Sequence, residues 1–360
     1  MVVHGKDYIV YPPFPALVML PFVAWQGLNA SDILMTTVAS AVNLPLLFLL
    51  FEQLRANGLT RRPWHEHVIM SLLLYFGSIN FYLSLGGRMW FTAHIFAMTC
   101  TLLSLLLAFR RHFAWATVLL GCAFFSRSTA ILGLPFLLFL AWQDARASGA
   151  VQRFAASLWR HVPDWSAVPW RRLAVVAGIG AAAVVLFMVR DTMIFGSPLD
   201  TGYQTLINER YSVVKNGPFS LDYVPVNILA NFFTFPLITF TGPFDRHPAI
   251  DWLNHGFSIS VFVTTPLFLL LFTRNRRVDL LRAALWATIG LMVVFVLLFH
   301  ASGWFQFGAR YLYEAYPYAF LLLVLSDLRV DWRVVVLGLL GVVINFAGAR
   351  AFWATEYRAP

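Results

Sequence analysis

Charge is scarce in this sequence. Asp, Glu, Lys and Arg make up 12% of its 360 residues, about half the roughly 25% of ordinary globular domains. A soluble domain of this length needs far more charged surface, so that class is excluded. Cysteine is scarcer still. Cys100 and Cys122 are the only two, and both lie inside apolar runs, which argues against a disulfide framework and against a cysteine-based zinc site. No basic block with interleaved aromatics occurs, so the net charge of +9 does not indicate a nucleic-acid partner. Met1 to Pro13 is polar and proline-bearing, without the apolar run of a cleavable signal peptide.

Apolar residues fill the chain instead. They make up 59% of it, with a mean hydropathy of +0.71, and the 34 Phe and 13 Trp suit lipid-facing surfaces and interfacial belts. Apolar runs of about 17–25 residues recur, each able to cross a hydrocarbon core of ~30 Å. The expectation is an all-α, polytopic integral membrane protein forming a single transmembrane domain over residues 1–360. About ten transmembrane helices are expected, at 32–52, 64–86, 89–108, 113–126, 128–143, 173–190, 256–273, 280–300, 309–326 and 333–350. The two within 113–143 are short, and Ser126-Arg127-Ser128 between them suggests half-helices. The stretch 226–241 contains Pro236 and lies between Pro225 and Gly242-Pro243, which reads as an interfacial or re-entrant helix rather than a crossing.

Segment 14–28 is ambiguous. It has only about fifteen residues, Pro21 interrupts it and Tyr11-Pro12-Pro13 precedes it. A crossing here would place Arg55, Arg61 and Arg62 opposite the other basic loops. A helix lying on the outer surface, within an outer segment 1–31, restores a consistent pattern. The loops on one side then hold sixteen arginines and seven acids, net +9, and the other side is neutral. The positive-inside rule makes the basic side cytoplasmic and puts both termini outside. The inner loop 144–172 is basic, with Trp159, Trp165 and Trp170, and suits an anionic leaflet. The outer region 191–255 is rich in Gly, Pro, Asn, Asp and Tyr, and a loop of that length usually carries function.

Three motifs gather on the outer side: Gly5-Lys6-Asp7-Tyr8 with Tyr11-Pro12-Pro13-Phe14-Pro15; Phe195-Gly196-Ser197-Pro198-Leu199 with Thr201-Gly202-Tyr203-Gln204; and Gly303-Trp304-Phe305-Gln306-Phe307-Gly308-Ala309-Arg310-Tyr311. In this order, and with the turn Phe124-Phe125-Ser126-Arg127-Ser128, they resemble bacterial membrane glycosyltransferases of the GT-C superfamily. The nearest branches are the protein-mannosyltransferase-like and aminoarabinose-transferase-like ones. The resemblance covers nearly the whole chain. It implies transfer of a sugar from a polyprenyl-phosphate donor to a glycan, lipid or protein acceptor, on the outer face of the bacterial inner membrane. Inversion at the anomeric carbon is implied as well. Some members of the superfamily use a divalent cation and others none, and no metal is expected here.

A lipid-linked donor presents phosphate at headgroup level, so cations are needed there. Lys6, Arg88, Arg127, Arg246 and Arg310 are the outer candidates, the arginines offering a planar bidentate fork. Each has a plainer explanation. Arg310 begins a span and Arg88 precedes Trp90, as interfacial anchors do. Arg127 sits between apolar half-helices, where a charge is either functional or paired. Lys6 and Arg246 suit solvated loops. Displacement also needs a base for the acceptor's proton. The resemblance implies a carboxylate after a first span, whereas this chain begins inside the corresponding loop. That acid is therefore expected either upstream of Met1 in a longer gene product or replaced by another, with Asp7 the nearest. Tyr11, Tyr203, Gln204 and Gln306 are candidate sugar or acceptor contacts. Glu314 lies one turn from Arg310, and i,i+4 spacing suggests an ion pair. His94, on an apolar face, reads as a hydrogen-bonded packing residue, and His300 as a residue able to line a cavity. The rival functions are a transporter or lipid flippase, and a catalytically inactive fragment of such an enzyme.

Overall fold

The computed structural model describes residues 2–3, 6–7, 11–144, 168–200, 202, 216–239, 249–252, 258–273, 279–301, 303, 306–326 and 328–356. Strands β1 (Val2–Val3) and β2 (Lys6–Asp7) pair antiparallel. The rest is almost wholly helical. Five helices are long and apolar enough to cross a membrane: α2 (Asp32–Ala56), α5 (Met89–Phe109), α8 (Trp170–Phe195), α11 (Leu280–Leu298) and α13 (Trp332–Glu356). Between them run α1 (Phe14–Gln26), α3 (Trp64–Phe76), α4 (Ile79–Ser84), α6 (Phe113–Phe124), α7 (Leu134–Asp144), α9 (Val224–Ile228), α10 (Val261–Thr264) and α12 (Tyr316–Leu325).

Local chemistry sets several of these boundaries. Ser31 caps α2 by accepting from the Leu34 N–H at 3.2 Å, and Asp32 and Arg55 complement the helix dipole at its two ends. Asp279 caps α11 by accepting from the Arg282 N–H at 2.8 Å. Gly196, at φ +79°, closes α8 in the left-handed conformation that glycine adopts without strain.

Helix α5 is the hub. It packs on α2, α4, α6 and α7, and 83% of its apolar window is buried. The corresponding windows of the other four long helices are only 22–33% buried. Their outer faces show side chains such as Leu186, Val294 and Val343, an apolar exterior that matches lipid rather than water. Side-chain hydrogen bonds join the hub to its neighbours: Thr36 to Thr92 at 2.7 Å, Thr99 to Asn43 at 2.7 Å, and Ser104 to the Ala116 carbonyl at 2.7 Å. Such polar contacts between helices hold bundles together where apolar burial gives little preference.

Three expected spans are broken, and of 256–273 the described part is only the four-residue α10 followed by a 3₁₀ segment, Pro266–Phe272. The run 64–86 divides into α3 and α4 at Gly77-Ser78, and Ser78 restarts the helix as its cap. The backbone of α13 crosses at this break. A Cβ on Gly77 would lie 2.8 Å from the Gly338 carbonyl oxygen, and one on Gly341 would lie 2.5 Å from the Gly77 carbonyl oxygen. The run 309–326 begins as a 3₁₀ helix, Arg310–Ala315, before α12. The expected break at Ser126-Arg127-Ser128 is present, leading into a 3₁₀ segment, Ser128–Gly133, before α7. The stretch 226–241 is less helical than expected. After α9 and a π turn at Leu229–Phe233, the chain extends at Thr234, and β3 (Leu237–Thr239) pairs with β4 (Ala249–Asp251). Pro236 explains the exit, since it lacks an N–H and biases Phe235 away from helix.

The helices sort the loops into two ends. At one, Arg110 reaches Gln53 at 3.0 Å, Asn57 reaches the Phe109 carbonyl at 2.8 Å, and Arg62 reaches the Val324 carbonyl at 3.0 Å. Arg55, Arg61, Arg62, Arg110, Arg282 and Arg329 all belong to this basic end. At the other, Phe14 N–H donates to Phe125 O at 3.1 Å and His300 N–H to Pro218 O at 3.0 Å. Helix α1 lies there, packed on α5, and leaves Leu17, Leu20, Phe22, Val23 and Trp25 exposed.

Candidate functional site

The charged centre of the far end is assembled from two breaks in helical structure and from the hub helix α5. Arg127 stands at the α6–α7 break with an extended backbone (φ −143°, ψ 114°). Its N–H still donates to Ala123 O at 2.8 Å, which ties the residue to α6. Glu314 lies in the 3₁₀ turn before α12, and His94 on α5. One carboxylate oxygen of Glu314, Oε1, meets His94 Nδ1 at 2.7 Å and accepts from Arg127 Nε at 3.3 Å. Glu314 and His94 are buried, whereas the Arg127 side chain is 19% exposed. Among the described residues the second carboxylate oxygen, Oε2, and His94 Nε2 have no hydrogen-bond partner.

The expected Arg310–Glu314 pair is not what the fold builds. An i,i+4 pair needs α geometry, but 310–315 winds with roughly three residues per turn, which sets the two side chains about a third of a turn apart. Glu314 turns to His94 and Arg127. The buried Arg310 guanidinium lies 5.8 Å from the rings of Trp90 and Phe91 and 5.6 Å from Tyr311. Arg127 lies 5.4 Å from the same Tyr311 ring. That ring therefore attracts two guanidinium groups, at about 0.5–2 kcal/mol each.

Arg127 also lines a cavity of about 180 Å³ at this end. Tyr11, Trp90, Phe187, Phe299 and Tyr311 form much of its wall. Arg190 also lines it, donating to Asp191 Oδ1 at 2.6 Å and to the Tyr11 carbonyl at 2.9 Å. The Arg127 side chain has one hydrogen bond among the described residues, through Nε. Its two terminal nitrogens remain available to an anion entering the cavity.

The structure thus brings Tyr11, Arg127, Arg310 and Glu314 into one neighbourhood. Arg88 immediately precedes α5 and is exposed, off the cavity wall. Gln306 is fully buried and folds against Gly303, where an added Cβ would lie 2.1 Å from its Nε2. The His300 ring lies tilted beside Phe299 at 4.3 Å, and it is Phe299 that lines the cavity. Lys6 and Asp7 are placed as backbone on β2; their side chains, with Tyr203, Gln204 and Arg246, lie outside the described residues. Among the described residues no three His, Cys, Asp or Glu side chains group as metal ligands would.

Arg190, Trp90, Phe187 and Phe299 were not among the candidates. Arg190 carries a signal in sequence, a cation beside an acid at the end of an apolar run. The aromatics carry none that separates them from the 44 other Phe and Trp. Comparison with family models, with curated proteins and with solved structures finds no match for this chain.

Proposed function

We propose that the chain is a GT-C-type membrane glycosyltransferase, moving a sugar from a polyprenyl-phosphate donor to an acceptor on the outer face. The carrying observation is Arg127: tethered through Nε to a buried carboxylate, with terminal nitrogens that have no partner among the described residues, at an aromatic-walled cavity. This is a suitable seat for a lipid-linked phosphate. The tether costs the guanidinium no donor at the cavity and limits its rotamers, so less entropy is lost when an anion binds. The cavity is smaller than the roughly 300–1,000 Å³ of drug-sized sites. It suits a headgroup, with the isoprenoid tail left to the apolar exterior.

In this proposal the acceptor oxygen attacks the anomeric carbon as the bond to the donor phosphate breaks. Polyprenyl phosphate leaves with the bonding electrons, and a carboxylate takes the acceptor's proton. Asp7 is assigned that proton, and Arg127 and Arg310 the phosphate charge. The bundle has ten crossings, with its basic end in the cytoplasm and both termini outside.

The test is direct. Purified full-length protein is incubated with radiolabelled polyprenyl-phosphate sugars and a membrane extract as acceptor source, and transfer is counted. Arg127→Ala is expected to lower kcat/KM by about 10- to 150-fold, the worth of a hydrogen bond to a charged group. Transfer unchanged in that variant would remove the phosphate assignment.

One observation favours a transporter or flippase instead. Glu314 and His94 bury polar atoms that have no partners among the described residues, as groups in proton-coupled carriers do. Proteoliposomes loaded with a fluorescent polyprenyl phosphate separate the two. Movement across the bilayer without transfer would decide for the carrier.

A further inference from the structure

The basic end holds an open cleft of about 920 Å³, far from the Arg127 cavity. Its lining includes Arg61, Arg62, Arg282 and Arg329 against Glu66 and Asp279, a net charge of +2. These four arginines are not equivalent. Arg62 is structural. Its side chain is 9% exposed, and it donates to the Val324 and Ser326 carbonyls at 3.0 Å each, to Glu66 at 2.8 Å, and to the Leu328 carbonyl. It clamps the turn after α12 against the α2–α3 loop, with four of its five N–H donors committed to protein acceptors. Arg282 is half committed, to Asp279 at 2.5 Å and to the Leu325 carbonyl, while its buried Nε–H has no partner among the described residues. Arg61 and Arg329 are exposed, and neither guanidinium has a partner among the described residues.

An ordinary topology signal needs cations only on the correct side, scattered over loops. Here Arg62 spends a buried guanidinium on fixing the walls of a cleft, and two guanidiniums without partners among the described residues stand at its edge. The same end exposes Trp64, Leu280 and Trp332, side chains that sit at the boundary between headgroups and acyl chains. A phosphate in this cleft would meet fixed cations while its chains met apolar surface.

We infer that this cleft is a binding site for a phosphate group, and that the phosphate belongs to an anionic phospholipid of the leaflet at the basic end. Arg61 and Arg329 contact the phosphate oxygens, and Arg62 positions the walls without touching the ligand. The site is independent of the proposed transfer reaction, since it uses neither the Arg127 cavity nor its residues.

Native mass spectrometry of the full-length protein tests it. Protein is taken from micelles holding equal phosphatidylglycerol and phosphatidylcholine, and retained lipid is counted for wild type and for Arg61→Gln/Arg329→Gln. Both substitutions are at exposed positions, and a melting curve checks that the variant folds. Wild type is expected to retain phosphatidylglycerol over phosphatidylcholine. The double variant is expected to lose roughly fivefold of that preference per arginine, about 30-fold in all. No preference in wild type, or the same preference in the variant, would overturn the site. A second arm adds inorganic phosphate to phosphatidylcholine-only micelles. Stabilisation of wild type there at micromolar phosphate, with displacement of phosphatidylglycerol, would show a soluble source and overturn the lipid assignment.

Discussion

Glu314 holds two cationic or polar partners on one oxygen, inside a bundle where a lone ion costs several kcal/mol. Removing it leaves Arg127 with no anchor and His94 Nδ1 with no partner. Glu314→Ala is therefore expected to cost about 3–5 kcal/mol, the usual penalty for breaking a buried pair from one side. Reversible thermal or denaturant unfolding in detergent would measure it, and a loss under about 1 kcal/mol would show that the pair is not formed. Tyr311 gives a second, smaller expectation. Tyr311→Leu keeps the apolar bulk but removes the ring beside both Arg127 and Arg310. A loss of about 1–4 kcal/mol is expected if both contacts count. At this scale the sequence is only half informative. Arg127 is legible, because a charge between two apolar half-helices must be functional or paired. His94 is legible as hydrogen-bonded, but its partner lies 220 residues away and no local pattern points to it. Glu314 is misread because i,i+4 pairing presumes an α-helix where the chain winds as 3₁₀.

Among the elements, α3 and α13 cross with their backbones close together. Glycine at 77 and 341 lets one backbone touch the other, as small residues do at helix contacts in membranes. Gly341→Ala forces a methyl into the Gly77 carbonyl and is expected to destabilise by about 1–3 kcal/mol. Gly290, on the exposed flank of α11, has open space around it. Gly290→Ala should stabilise by about 0.5–1 kcal/mol through helix propensity alone. Opposite signs for one substitution type would locate the close contact, and equal signs would refute it. The long spans are legible from apolar runs, as are the breaks at Ser126-Arg127-Ser128. The break at Gly77-Ser78 is not, because hydropathy continues across it and only the approach of α13 gives those residues a reason to stop the helix.

For the molecule as a whole, the described residues place one group of arginines at one end and the Arg127 cavity at the other. Which end faces the cytoplasm can be read by labelling. With Cys100 and Cys122 replaced by Ser, a single cysteine is placed at Leu28 or at Asn57. A membrane-impermeant maleimide is expected to label Leu28→Cys in intact cells, and Asn57→Cys only after permeabilisation. The reverse pattern would invert the bundle and put the Arg127 cavity in the cytoplasm, against the proposed reaction.

The burial of α5 bears on how the chain is made. It is the least hydropathic of the five long helices, with a mean hydropathy of 1.8 against 2.0–2.3, and it carries Thr92, His94, Thr99, Thr101 and Ser104. Lipid is a poor first home for such a segment, since each of those groups needs a partner there. Its partners Thr36 and Asn43 leave the ribosome earlier, on α2, whereas Ala116 follows on α6 and Glu314 much later. Helix α5 must therefore wait beside α2, partly satisfied, until the second half of the protein arrives to enclose it.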